Sequence, residues 1–96
     1  MSTTTHIPEL TLGRRLFLAR DDAGFNQSEF ANRIGVSRRS IVNYESGTTH
    51  PSRPVLLSWS LATGVPLEWF EDAPDYSPRI HDAQRYIQWP LFGLAA

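Results

Sequence analysis

The sequence predicts an all-α domain of five short helices. Three observations lead to this prediction: apolar residues recur three or four positions apart, small polar residues precede several of these stretches as helix caps do, and a glycine ends most of them. With 96 residues, the chain is long enough for one hydrophobic core and too short for two. A single domain is therefore expected.

The first two helices are defined by their boundaries. Residues 12–23 carry apolar side chains at helical spacing between Thr11, a candidate N-cap, and Gly24, a helix stop. Residues 26–29 form a capping box, in which the cap residue is followed three positions later by Glu. The second helix starts there and ends before Gly35, so it is short.

The third helix follows a turn at residues 35–36. Ser37 is its candidate N-cap, residues 38–45 form the helix, and Gly47 ends it. Two short helices joined in this way cannot each bury a face alone, but they share one when they cross at a steep angle. The outer side of the third helix is then left free for a groove.

The fourth and fifth helices complete the predicted core. Residues 48–51 are a loop, after which Ser52 and Pro54 mark the start of a fourth helix that stops at Gly64. Residues 65–70 are predicted to form a short fifth helix. The large aromatic side chains of these helices are interpreted as packing residues and not as stacking platforms for single-stranded nucleic acid. They are Trp59, Trp69 and Phe70.

Three segments are predicted along the chain. Residues 1–9 form a flexible polar arm, and residues 10–71 form the helical domain. Residues 72–96 form a partly helical extension, with a sixth helix over residues 77–89. An acidic hinge at residues 71–75 is expected to join the domain to the extension.

The charge of the chain is unevenly distributed. Residues 1–64 carry seven Arg and five acidic residues, a net charge of +2, whereas residues 65–96 carry two Arg and five acidic residues, a net charge of −3. The whole chain therefore has a net charge of −1, and every basic residue is Arg. A basic surface that could meet a phosphate backbone is predicted in the first two thirds of the chain.

Composition and motifs argue against several classes of function. The chain has no Cys, which removes disulfides, thiolate metal sites and cysteine nucleophiles and fits a reducing compartment. The three His residues stand far apart, and no serine or carboxylate lies in a nucleophile or paired-acid motif. No run of about 18 apolar residues occurs. We therefore expect no metal, no cofactor, no enzymatic activity and no membrane partner, in a cytoplasmic protein.

The outer side of the third helix carries residue types that read DNA bases. Arg38, Arg39, Ser40 and Asn43 lie near its start and along one flank, whereas Ile41 points inward. Arg binds guanine through two hydrogen bonds, Asn binds adenine in the same way, Ser binds either base, and an α-helix fits the major groove. These four polar residues are the candidate base contacts.

The run from Asn26 to Gly47, followed by Pro51 and residues 64–70, resembles the Cro/repressor (XRE-like) family of helix-turn-helix proteins, which includes phage immunity repressors. The resemblance covers residues 10–71 and implies a five-helix, lambda-repressor-like DNA-binding domain. In that family the second helix rests on the DNA backbone and the third enters the major groove. The resemblance implies a regulator of transcription that binds double-stranded DNA in a bacterial cytoplasm, associated with the nucleoid.

The resemblance also implies roles for individual residues. Gln27, at the start of the second helix, would bind a phosphate with the help of the helix N-terminus. Further phosphate contacts are implied at three positions: Ser37, Thr49 and Arg53. Arg20 in the first helix would pair with Glu45 at the end of the third, as a buried or half-buried structural ion pair. The alternative for these two residues is a pair of solvated surface charges.

The extension carries more apolar surface than a free segment should expose. One helical stripe of its sequence is formed by Ile80, Ala83 and Ile87. The extension is expected either to fold back on its own domain or to meet a second chain, in which case a two-fold homodimer would read half-sites about one DNA turn apart. The chain ends in Leu94, Ala95 and Ala96, which resemble the small apolar tags that bacterial host proteases recognise. An ordinary frayed terminus is the alternative.

The leading functional prediction is a sequence-specific repressor, with a phage immunity repressor of lysogeny or a Cro-like switch protein as its role. One alternative is the antitoxin of a toxin–antitoxin pair, which shares this domain and holds a toxin through a terminal segment. Another is a protein-interaction module that has kept the fold and lost DNA binding. Arg38 and Arg39 argue against the interaction module, since it would need no doubly basic turn facing a groove.

Overall fold

The computed structural model describes residues 7–77, which form a bundle of five α-helices and contain no β-strand. The helices are α1 (Leu12–Asp22), α2 (Gln27–Ile34), α3 (Arg38–Ser46), α4 (Arg53–Thr63) and α5 (Leu67–Glu71). Within these residues, the predicted fold class and the number and order of the first five helices are confirmed. The third helix extends one residue beyond its predicted end, to Ser46.

Several predictions fall on parts of the chain outside the described residues. They concern most of the N-terminal arm, the sixth helix from residue 78 onward and the C-terminal residues 94–96. Within residues 7–77, no helix is long and apolar enough to cross a membrane. In the same part of the chain, no three His, Asp or Glu side chains lie close enough together to hold a metal ion.

The N-termini of α1, α2 and α3 are fixed by caps that the sequence predicts, whereas Ser52 forms no side-chain cap bond at the start of α4. The Thr11 hydroxyl accepts a hydrogen bond from the Arg14 amide, at 3.3 Å, at the start of α1. At the start of α2 the capping box is complete, since Asn26 accepts from the Glu29 amide at 2.8 Å and the Glu29 carboxylate accepts from the Asn26 amide at 2.9 Å. Each cap satisfies a helix-terminal N–H that has no partner within its helix. The starts of these helices are therefore set by local hydrogen bonds.

The turn between α2 and α3 depends on a left-handed backbone conformation at Gly35. Its φ is +80°, a region that residues with a side chain rarely adopt. The Ala31 carbonyl accepts from the amides of both Gly35 (2.9 Å) and Val36 (3.0 Å), which closes α2 and redirects the chain. The tight turn brings the start of α3 directly after the end of α2.

Large apolar side chains from every helix meet in one core. The largest of the fully buried ones are Leu12, Leu16, Phe30, Ile41, Leu56, Trp59 and Phe70. Trp59 links α4 to α2 and α1, because its ring packs against that of Phe30 at a centroid distance of 4.7 Å and its Nε1 donates to the Leu16 carbonyl at 3.1 Å. The interpretation of Trp59 and Phe70 as packing residues is confirmed. Trp69 is half-buried and packs against the same core.

The backbones of α1 and α3 approach each other closely at Gly13, a buried residue. A Cβ atom on Gly13 would lie 2.5 Å from the Glu45 carbonyl oxygen, a distance that real Cβ atoms essentially never show. The missing side chain therefore lets the two backbones come together. This contact brings the end of α3 against the start of α1.

Residues 71–75, predicted to be a hinge, are packed against the domain. Ala73 is only 5% exposed, and the Asp75 carboxylate accepts a hydrogen bond from the Leu12 amide at 2.7 Å. The Leu12 amide is an unpaired donor of the first helical turn, where the helix dipole also favours a negative charge. The expectation of a hinge was therefore wrong. The predicted extension starts at residue 72, but its first residues complete the packing of the helical domain.

Candidate nucleic-acid interface

Helix α3 has one face buried and one face free. Its Ile41 is fully buried against α1 and α2, and Tyr44 is half-buried beside Trp59 with ring centroids 6.2 Å apart. On the other side, Arg38 and Arg39 are exposed at the N-terminal end of the helix. The buried face of α3 therefore holds the helix against the core, and its first turn presents two guanidinium groups to solvent.

Ser37 and Ser40 interact with each other at the start of α3. The Ser37 hydroxyl accepts from the Ser40 amide at 3.1 Å, as an N-cap does, and donates to the Ser40 hydroxyl at 3.0 Å. The backbone N–H groups of this first turn carry the positive end of the helix dipole. Two predicted contact residues thus have their hydroxyl groups ordered on one side of the exposed turn.

Asn43 and Thr49 are linked through the backbone. Asn43 is half-buried on α3, and its carbonyl oxygen accepts from the Thr49 amide at 3.2 Å and from the Ser46 hydroxyl at 3.2 Å. Thr49 is exposed in the loop that follows α3. The loop is therefore held against the C-terminal end of the same helix that carries the predicted base contacts.

Gln27 joins α2 to both ends of α3. Its Nε2 donates to Glu45 Oε1 at 3.3 Å, and its Oε1 accepts from an Nη atom of Arg38 at 3.2 Å. Gln27 is half-buried, whereas Arg38 is exposed. The structure thus brings together a residue predicted to contact phosphate and one predicted to contact bases.

Arg20 and Glu45 form a buried ion pair between α1 and α3. The guanidinium makes two bonds to the carboxylate, at 2.6 Å from Nε and 3.1 Å from Nη2, and the two side chains are only 8% and 7% exposed. The remaining Nη atom of Arg20 donates to the Phe25 carbonyl at 2.7 Å. A two-pronged contact between two nearly buried side chains fixes the distance and orientation of the two helices.

Arg53 is held by an acidic residue of α5. One Nη atom of Arg53 is hydrogen-bonded to the Glu71 carboxylate, which also accepts from the Tyr76 hydroxyl at 3.5 Å. Burial and the nearby Glu71 carboxylate raise the pKa of the Tyr76 hydroxyl above its usual value. Arg53, predicted to contact phosphate, therefore has a carboxylate competing for its guanidinium.

The sequence of this chain matches a protein family described as helix-turn-helix, over residues 16–70. That match spans more than half of the chain. The chain belongs to the helix-turn-helix family. As a member, it is a DNA-binding regulator of transcription, a class whose members are typically not enzymes. The helices α2 and α3, with the turn at Gly35, are the pair that the sequence predicted to form this motif.

The fold of this helix-turn-helix protein is similar to that of a repressor DNA-binding domain of known structure. The DNA-binding domain of the P22 C2 repressor (1–76), determined in solution by nuclear magnetic resonance, matches with a TM-score of 0.63. The sequences are 24% identical, and the match covers 74% of this chain and 92% of the P22 domain. A comparison with curated protein sequences gives no match.

Three structural contacts that involve the start of α1 or Arg53 were missed from the sequence. They are the Gly13 approach to Glu45, the Asp75 cap on α1, and the Glu71 carboxylate on Arg53. A glycine inside the first turn of a helix was a usable signal, because glycine there indicates a close backbone approach. The other two contacts join distant positions, and no local pattern marks them.

Proposed function

We propose that this helix-turn-helix protein is a sequence-specific repressor that inserts α3 into the major groove of an operator. In this proposal Arg38, Arg39, Ser40 and Asn43 contact base edges. The observation that carries it is the asymmetry of α3, which is fully buried at Ile41 and exposes two Arg side chains in its first turn. An arginine in this place can form a pair of hydrogen bonds with guanine.

The phosphate contacts of the proposal surround the same helix. Gln27 and Ser37 stand at the N-termini of α2 and α3, where backbone N–H groups favour an anion. Thr49 lies in the loop held against α3, and Arg53 begins α4. Such contacts fix the register of the protein on DNA and carry no sequence information of their own.

The biological role we propose is that of a phage immunity repressor or a Cro-like switch protein in a bacterial cytoplasm. The support for it is the likeness in fold to the P22 C2 repressor domain. A two-fold dimer would place two α3 helices on half-sites about one DNA turn apart. The operator of such a dimer would be a palindrome.

The test is selection of bound duplexes from a randomised pool at near-physiological salt, followed by sequencing. The wild-type protein is expected to enrich a palindromic motif. Arg38→Ala should lose about 1–3 kcal/mol on that motif and relax the preference at one base pair. Arg14→Ala is the matched control, because it removes the same charge from an exposed position on α1 and should leave the preference unchanged.

Two outcomes would count against the proposal. If no sequence is enriched over the input pool, the protein does not bind DNA with sequence preference. If Arg38→Ala and Arg14→Ala reduce binding to motif and random DNA by the same factor, α3 does not read bases. In the second case only the shared positive charge of the two residues matters for binding.

A further inference from the structure

We propose that Gln27 and Glu45 are positioning residues for Arg38, and that the buried ion pair sets the orientation of a side chain at the DNA-reading surface. The effect of this positioning on base preference rests on the function proposed above. The structural basis is a continuous chain of hydrogen bonds from Arg20 through Glu45 and Gln27 to Arg38.

Burial decreases along this chain of hydrogen bonds. The side chains of Arg20 and Glu45 are almost fully buried, Gln27 is half-buried, and Arg38 is exposed. The two buried groups are held by packing and by a two-pronged contact, so their positions are well defined. The chain of hydrogen bonds therefore runs from a fixed ion pair in the protein interior to a side chain at the surface.

The amide of Gln27 is satisfied in only one orientation. A carboxylate only accepts hydrogen bonds and a guanidinium only donates them, so Nε2 must face Glu45 and Oε1 must face Arg38. A flipped amide would place an acceptor against the carboxylate and a donor against the guanidinium. The charge of Glu45 thus determines that Arg38 meets an acceptor.

Arg38 and Arg39 differ in this respect, although both are exposed in the first turn of α3. Arg38 donates to Gln27, whereas within residues 7–77 no side chain forms a hydrogen bond or ion pair with the Arg39 guanidinium. A long side chain that is already oriented loses less conformational freedom when it binds. We therefore expect the base preference at the position of Arg38 to depend on Gln27 and Glu45, and that of Arg39 to be independent of them.

The first experiment uses the free full-length protein and needs no DNA. The Nε–Hε signals of Arg38 and Arg39 are followed by ¹⁵N–¹H correlation spectra in the wild type, in Gln27→Met and in Glu45→Asp. Gln27→Met keeps the length of the side chain and removes both hydrogen bonds. Glu45→Asp keeps the negative charge beside Arg20 and shortens the side chain, which withdraws the carboxylate from Gln27.

The expected result is that both substitutions shift the Arg38 signal and leave the Arg39 signal in place. An Arg38 signal that moves no more than that of Arg39 in Gln27→Met overturns the proposal. A shift in Gln27→Met without one in Glu45→Asp overturns the part that concerns Glu45. These outcomes are independent of whether the protein selects a DNA sequence.

The second experiment measures base preference by the duplex selection described above. Gln27→Met should reduce the preference at the base pair read by Arg38 by about two- to tenfold, the effect of one net hydrogen bond. In an Arg38→Ala background, Gln27→Met should cause no further loss of preference. A role of Gln27 in phosphate binding alone would lower affinity for every duplex and leave the preference intact, which contradicts the proposal.

Failure of the proposed function gives a different result from failure of this inference. If the wild-type protein enriches no motif, the sequence-specific function is wrong, and the Arg38 signal in the free protein still decides whether the chain of hydrogen bonds exists. If a motif is enriched but the preference is unaffected in Gln27→Met, the function stands and the positioning role is wrong.

Discussion

Removing the negative charge of Glu45 should cause a large loss of stability. In Glu45→Gln the shape of the side chain is kept, but the Arg20 guanidinium remains buried without its counter-ion. Its remaining partners are the Phe25 carbonyl at 2.7 Å and the ring of Phe17 at 5.4 Å. Breaking a buried pair in this way costs about 3–5 kcal/mol, and the two surviving contacts favour a value near the lower limit, about 3 kcal/mol.

The assay is urea unfolding, followed by tryptophan fluorescence because Trp59 is fully buried. With a slope of about 1–2 kcal/mol per molar urea, a loss of about 3 kcal/mol lowers the midpoint by roughly 1.5–3 M. Glu71→Gln is the matched control, since it breaks the pair with Arg53, in which the two side chains are 40% and 23% exposed. That pair should contribute at most about 1 kcal/mol.

Equal losses for Glu45→Gln and Glu71→Gln would refute the reasoning, because burial would then make no difference to the two ion pairs. A second comparison separates charge from packing. Replacing both partners, by Arg20→Met with Glu45→Leu, leaves no orphaned charge and is expected to cost less than Glu45→Gln alone.

Three further predictions follow from other contacts. Gly13→Ala should destabilise the domain by about 1–3 kcal/mol in urea unfolding, although Ala is the better helix former, because its Cβ would overlap the Glu45 carbonyl; an increase in stability would contradict this. Tyr76→Phe should remove part of the stability loss at alkaline pH. The raised pKa of Tyr76 gives the folded state an advantage that is complete below about pH 10 and disappears as pH rises through the folded value, so unfolding at about pH 9 and 11 should differ less in the variant than in the wild type. Glu71→Gln should strengthen DNA binding and steepen its salt dependence, because it removes the negative charge that competes with a phosphate for the Arg53 guanidinium; unchanged binding would contradict a phosphate contact by Arg53.

The helices and the orientation of α3 could be predicted from the sequence because the signals are local. The caps at Thr11 and Asn26 bond to residues three positions away, and Gly35 closes its own turn. The spacing of Ile41 relative to Arg38 and Arg39 is enough to separate a buried face from an exposed one. Each of these features is decided within one turn of helix.

The contacts that could not be predicted join residues far apart in the chain. Asp75 and Leu12 are separated by 63 positions, and Arg53 and Glu71 by 18. An acidic run such as residues 71–75 has the composition of a solvated linker, and only the folded backbone shows that one of its carboxylates meets an unpaired amide. For Gln27 the sequence likewise predicted a phosphate contact and neither of its side-chain partners, because these lie at opposite ends of α3.

The bond between Asp75 and Leu12 has a consequence for how the domain is made. A ribosome releases α1 long before residue 75, so the first helix emerges without one of the groups that holds its N-terminus. The same holds for any shortened chain that stops at Glu71, which would contain all five helices and lack the cap. A separately produced domain that keeps this bond therefore needs residues up to Asp75, and the bond can form only after that residue has been synthesised.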